Sequence, residues 1–161
     1  MRSNMLKRLM LAGIAAGMLG GIAHAASSVT STFTARITIQ NDCSVSSPND
    51  LDFGTVGLLS ANVDTSMTFT VTCTNGAAYT IAMDDGQNAS GSTNRMTNGS
   101  EYVSYELYQD SNYATVWDAS NTVSSTGTGT AQTFTVYGRV PPQATPSAGT
   151  YTDTVTITVT Y

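Results

Sequence analysis

Residues 29–39 read Val29-Thr30-Ser31-Thr32-Phe33-Thr34-Ala35-Arg36-Ile37-Thr38-Ile39. Val29, Ser31, Phe33, Ala35, Ile37 and Ile39 share one face, and the threonines and Arg36 fall on the other. A period of two is that of a pleated strand, whereas a helix would repeat its apolar residues every three or four positions. The alternation looks the same whether the strand pairs inside its own domain or with a second chain, so it fixes the conformation and leaves the partner open.

The same period recurs downstream. Met67, Phe69, Val71 and Cys73 alternate with threonines, which puts Cys73 on the core side, and Asn75-Gly76 then turns the chain. Tyr79, Ile81 and Met83 form the next inward set, closed by Asp84-Asp85-Gly86. Val103, Tyr105 and Leu107 share a face, with residues 113–117 as a hairpin partner across Asp110-Ser111-Asn112. Phe134, Val136 and Val140 define a strand stopped by Pro141-Pro142, and Val155, Ile157, Val159 and Tyr161 define the last. Short strands are expected around Cys43–Val45 and at Leu51 and Phe53. A mobile loop is expected from Asp84 through Gly99, and another over residues 124–130. No window has helical periodicity. Many short antiparallel strands with regular turn signals predict an all-β sandwich of the immunoglobulin type, although the Cys-Trp-Cys order of antibody domains is missing.

Ahead of the first strand, residues 1–8 are basic, Leu9–Ile22 is an apolar run, and Ala23-His24-Ala25 has the small-x-small pattern of a cleavage site. This predicts a signal peptide over residues 1–25 and an exported domain over 26–161, with no membrane insertion of the mature chain. Cleavage removes every Lys and the sole His. Arg36, Arg95 and Arg139 then face eleven carboxylates, a formal charge of −8 that disfavours nucleic acid as a partner. In an exported chain the two cysteines, Cys43 and Cys73, are expected to form a disulfide, because nothing else is present to complete a metal site with them.

Enzymatic chemistry finds few candidates. Without histidine, general-base work would fall to the carboxylate pairs Asp84/Asp85 and Glu101/Glu106, whose settings in a turn and beside a strand favour structural roles. No cofactor and no metal site is expected, since Asp84-Asp85-Gly86 lacks the alternating ligands of a calcium loop. Asn88-Ala89-Ser90 and Asn98-Gly99-Ser100 match the glycosylation sequon and carry little weight. Tyr102, Tyr108, Tyr113 and Trp117 would suit a sugar-stacking platform if exposed; packing is the plainer expectation.

The ordered set Asn41-Asp42-Cys43, Leu51-Asp52-Phe53-Gly54-Thr55-Val56, Val71-Thr72-Cys73, Asp84-Asp85-Gly86, Arg95-Met96, residues 102–108, Trp117, Tyr137-Gly138-Arg139-Val140-Pro141 and residues 149–155 resembles the spore coat protein U domain family. That family includes subunits of archaic, Csu-type chaperone-usher pili. Its tryptophan is often followed by glycine; here Asp118 follows. The resemblance covers essentially residues 26–161 and implies an incomplete immunoglobulin-like β-sandwich, completed by donor-strand complementation. It implies a donor strand within residues 26–40 (Val29, Phe33, Ala35, Ile37 and Ile39) and a cleft edged by Val155, Ile157, Val159 and Tyr161. The partners it implies are identical or homologous pilin subunits, a periplasmic chaperone and an outer-membrane usher. The implied role is a shaft or adaptor subunit of a surface pilus that supports adhesion and biofilm formation. A secreted coat or matrix protein and a monomeric carbohydrate-binding sandwich are the alternatives.

Overall fold

The computed structural model describes residues 25–161, so the export signal expected over residues 1–25 lies outside the described residues except for Ala25. The chain divides into two units at Ile37/Thr38. Described by itself, the stretch of the first unit from Ala25 to Ile37 has no regular secondary structure and is exposed throughout. The alternating segment is thus not paired as a strand in the single chain. Its pattern supplies a face to bury, but a strand also needs hydrogen-bonding neighbours for its backbone.

The second unit contains eight strands: β1 (Cys43–Val45), β2 (Val63–Cys73), β3 (Ala78–Met83), β4 (Asn94–Thr97), β5 (Tyr102–Tyr108), β6 (Val123–Thr126), β7 (Gln132–Val140) and β8 (Ile157–Thr160). There is no helix among the described residues, and none long and apolar enough to cross a membrane. The strands form a five-stranded sheet in the order β1-β2-β7-β5-β4 and a three-stranded sheet in the order β6-β3-β8, with every pairing antiparallel.

The core is built from the inward residues that the alternation marks. Phe69, Val71, Val136, Val140, Val103, Tyr105 and Leu107 come from the large sheet, and Tyr79, Ile81 and Met83 from the small one; all are buried. Trp117 lies between the sheets, 2% exposed, with its indole N–H donating to the Ile81 carbonyl at 3.0 Å and its ring beside Phe69. Residues 113–117 form no strand and touch β5 through one bridge, Tyr108 to Val116. Instead, the Asp110 carboxylate gathers the amides of Asn112, Ala114 and Thr115, and Tyr113 adopts a φ of 56°, so a turn delivers Trp117 to the core. Asp118 then accepts hydrogen bonds from the Ser120 and Asn121 amides, holding the next turn.

Three local expectations are corrected. The stretch expected to be a mobile loop contains β4, whose Asn94 is buried and donates to the Asp84 carbonyl. Residues 123–126, expected in part as a loop, form β6 at the edge of the small sheet. Leu51 and Phe53 lie in irregular backbone, although both pack on the core. Polar edge strands and apolar loops each break the rule that alternation marks strands, because only elements with one face in the core are patterned by it.

Gly127 is fixed by a close approach. Its amide donates to the Ala77 carbonyl and its own carbonyl accepts from Gly76, which presses its Cα onto the Cys73–Thr74 backbone. A Cβ there would collide with the Thr74 carbonyl oxygen and lie 2.8 Å from the Cys73 Cβ. Gly127→Ala is therefore expected to destabilise the domain by about 1–3 kcal/mol, readable as a lower urea midpoint at unchanged m-value.

Candidate strand-binding cleft

β8 is a terminal strand of its sheet. Ile81, Ala82 and Met83 of β3 pair with Val159, Thr158 and Ile157 on one side, and among the described residues nothing pairs with the other side. Beside that edge opens a cleft of about 1040 Å³. Met83, Leu107, Val136 and Val140 contribute to its floor, residues 48–57 bound it on one flank, and residues 145–155 with Ile157 on the other. Of the residues expected to edge it, Val155 and Ile157 line the cleft, whereas Val159 packs half-buried on the core and Tyr161, 55% exposed and donating its hydroxyl to Asp42 at 3.1 Å, lies outside the lining. Val155 precedes β8, and its neighbours Thr154 and Thr156 accept backbone hydrogen bonds from Gln87 and Asp84.

On the opposite flank, Leu51 and Phe53 lie over Gly138 of β7, where a Cβ would meet Leu51 Cδ2 at 2.7 Å and Phe53 Cζ at 2.9 Å. Phe53 also meets the Tyr105 ring edge-on. Glycine at position 138 thus lets an apolar segment without strand pairing rest on the large sheet. Cys43 and Cys73, register partners in β1 and β2, are joined by a disulfide with a Cα–Cα distance of 4.1 Å, which ties down the chain leading into this flank.

A polar clamp holds the mouth of the cleft. The Asp153 carboxylate accepts from the Asn88 amide (3.2 Å), the Asn88 side chain (2.9 Å) and the Tyr105 hydroxyl (2.8 Å). Burial pushes the Tyr105 hydroxyl far above its ordinary pKa, and Asp153 pushes it further, so it stays protonated and donating. Gly86, at a φ of 78°, leaves the space that Asp153 fills.

The Asp84 carboxylate accepts from the Thr156 amide at 2.8 Å and the Gly86 amide at 3.1 Å. Burial pushes its pKa up, but the hydrogen bonds from Thr156 and Gly86 together outweigh this and hold it below its ordinary 3.8. A carboxylate depressed in the folded state contributes stability that is present above the unfolded value and lost as pH falls through the folded one. Acid unfolding should accordingly steepen below pH 3.8. Asp84→Asn is expected to flatten that limb and to reduce hydrogen-exchange protection at Thr156 at neutral pH.

The other polar candidates are engaged in structure. Glu101 accepts from the Ser147 amide and the Tyr151 hydroxyl, and Glu106 accepts from Tyr108, so with Asp84 three of the four carboxylates weighed for acid-base work hold a local turn or neighbour. Asn88 is committed to Asp153, and the Asn98 side-chain oxygen accepts from the Ser100 and Glu101 amides. Among the described residues no group of three or more His, Cys, Asp or Glu is placed to hold a metal ion. The sugar platform is not assembled: Trp117 is in the core, Tyr108 is buried, Tyr113 lies under the Arg139 guanidinium, and Tyr102 lies under that of Arg95.

The apolar residues of the alternating N-terminal segment are exposed. Val29 is 97% exposed, Phe33 92%, Ile37 82% and Ile39 70%.

An immunoglobulin-like sandwich with a cleft beside its last strand defines the class of protein. The model of the Spore Coat Protein U domain matches residues 29–158, and the chain belongs to that family. Comparison with curated proteins gave no match. Among solved structures, the chain is similar to one from the CsuC-CsuE chaperone-tip adhesion subunit pre-assembly complex of the archaic chaperone-usher Csu pili of Acinetobacter baumannii. That likeness has 25% identity and a TM-score of 0.55, and covers 77% of this chain and 40% of that one. A second likeness is to the P pilus rod subunit PapA, at 17% identity and a TM-score of 0.50, covering 74% of this chain and 98% of that one; it bears on the fold alone.

Proposed function

We propose that residues 26–161 form a structural subunit, shaft or adaptor, of a chaperone-usher surface pilus, acting by assembly and not as an enzyme. In this reading residues 26–40 are the donor strand. Val29, Phe33, Ala35, Ile37 and Ile39 of one copy enter the cleft of the next, alongside the edge formed by Val155, Ile157, Val159 and Tyr161. A periplasmic chaperone lends the missing strand first, and an outer-membrane usher exchanges it for the neighbour's donor at the cell surface. Head-to-tail donation does not close on itself, so it yields a filament that supports adhesion and biofilm formation.

The observation that carries this reading is a pairing of surfaces. One segment has an alternating apolar face with its large side chains 70–97% exposed, and the strands that follow leave an apolar cleft beside an edge that nothing pairs with among the described residues. An open edge next to exposed core invites strand addition and, left uncovered, aggregation.

Deletion of residues 26–40 tests it. Coexpressed with a periplasmic chaperone of a chaperone-usher system, the truncated chain is expected as a soluble one-to-one complex that accepts a donor and cannot give one, so no filament forms. Equal solubility as a monomer in the absence of any chaperone would contradict the reading.

A further inference from the structure

We propose that Arg36 acts as a register and partner-selection residue, pairing with Asp50 and Asp52 of the receiving copy. The inference rests on the donor-strand reading above and adds to it the charge that sets which copy enters and how far.

Of the three arginines in residues 26–161, two are committed within their own domain. Arg139 makes a two-pronged ion pair with Asp64, at 2.7 and 2.8 Å, and lies over the Tyr113 ring. Arg95 stacks on Tyr102 and donates to the Asn88 and Ala89 carbonyls. Arg36 is exposed, and the ion pair found among the described residues is that of Arg139 with Asp64. In a segment whose other outward positions are threonines, Arg36 is the one charge. With Phe33 and Ile37 turned into a cleft, the strand period turns Arg36 away from it, toward the outer side chains of the flanking chain segments.

Those flanks differ. The outward residues of the β8 side are Thr154, Thr156, Thr158 and Thr160, which are uncharged. On the other flank Leu51 and Phe53 face Gly138, and the alternating Asp50 and Asp52 are exposed at the cleft wall. Asp52 uses one oxygen to accept from the Gly54 amide, which leaves its second oxygen to an incoming guanidinium. Asp153, the other carboxylate bordering the cleft, already accepts three hydrogen bonds. Strands lie about 4.7–4.9 Å apart, within reach of an arginine side chain. Exposed ion pairs add little affinity, yet they steer encounter between molecules of like net charge and penalise a register that meets no carboxylate.

The test uses the full 26–161 chain, refolded from denaturant while filament growth is followed by light scattering. Arg36→Glu is expected to slow growth about tenfold at low salt, the scale on which charge complementarity alters association. Asp50→Arg with Asp52→Arg should slow it by a similar factor, because like charges then meet. The chain with all three substitutions should recover to within about twofold of the original, which a folding defect would not allow, and the differences should shrink at about 0.5 M salt. Equal growth of every variant, or a triple variant slower than either parent, would overturn the pairing while leaving donor-strand exchange in place. Failure of the unsubstituted chain to polymerise would overturn both.

Discussion

A chain of residues 26–161 carrying a second copy of residues 28–40 after Tyr161, through a flexible linker, is expected to be a monomer several kcal/mol more stable than the original. β8 runs along the free edge, so a short connection lets the added segment fold back antiparallel to it, as in a hairpin. Phe33, Ile37 and Ile39 start at 92%, 82% and 70% exposure, so nearly all of their apolar surface is available to be removed from water. At about 1.5–3 kcal/mol each, three large side chains contribute roughly 5–9 kcal/mol before ladder hydrogen bonds are gained and chain ordering is lost. Urea unfolding reads the difference as a midpoint raised by more than about 1 M, and size-exclusion chromatography reads the loss of polymerisation. The matching chain with aspartate in the added copy at the Phe33 and Ile37 positions should show neither effect. An unchanged midpoint for the apolar extension would reject the donor assignment.

Removal of the disulfide is expected to have the next largest effect. Cys43 and Cys73 are 30 residues apart, and releasing a loop of that size returns enough unfolded-state entropy to cost about 3–4 kcal/mol. That is a large share of the 5–15 kcal/mol typical of a domain. The loss should also be local. β1 is three residues long and ends its sheet, so the cross-link reinforces a short ladder to β2, and the Leu51–Phe53 flank of the cleft lies a few residues further along the chain. Cys43→Ala with Cys73→Ala is expected to lower the urea midpoint and to weaken binding of a peptide of residues 26–40 together. A stability loss below about 1 kcal/mol would mean that β1 is held chiefly by other contacts.

Much of the sandwich can be read from alternation because β2, β3, β5 and β7 each keep one face on the core, so Phe69, Ile81, Tyr105 and Val136 fall at every second position. β4 and β6 escape that reading. Asn94 and Met96 of β4 form a half-polar face, and β6 is mostly serine and threonine at a sheet edge, so neither carries a period-two contrast. Trp117 reaches the core through the Asp110 turn, a matter of hydrogen bonds that hydrophobic spacing does not encode.

The cleft is legible only in part. The sequence displays the apolar faces of residues 29–39 and 155–161, but the open edge of β8 arises from strand order. It requires that β8 pair with β3 on one side only, a long-range outcome of how eight strands are shared between two sheets. The clamp at Asp153 is hidden for the same reason, since it joins Asn88 and Tyr105, which are 65 and 48 residues away in the chain.

Filaments grown from an equal mixture of copies labelled with nitrogen-15 and copies labelled with carbon-13 test the central claim most directly, through solid-state NMR contacts between differently labelled copies. The account predicts cross-copy contacts from residues 33–39 of one molecule to Val155, Ile157 and Val159 of another. Contacts to those residues found solely within a single copy, or filaments in which residues 29–39 remain mobile and solvent-exposed, would contradict it.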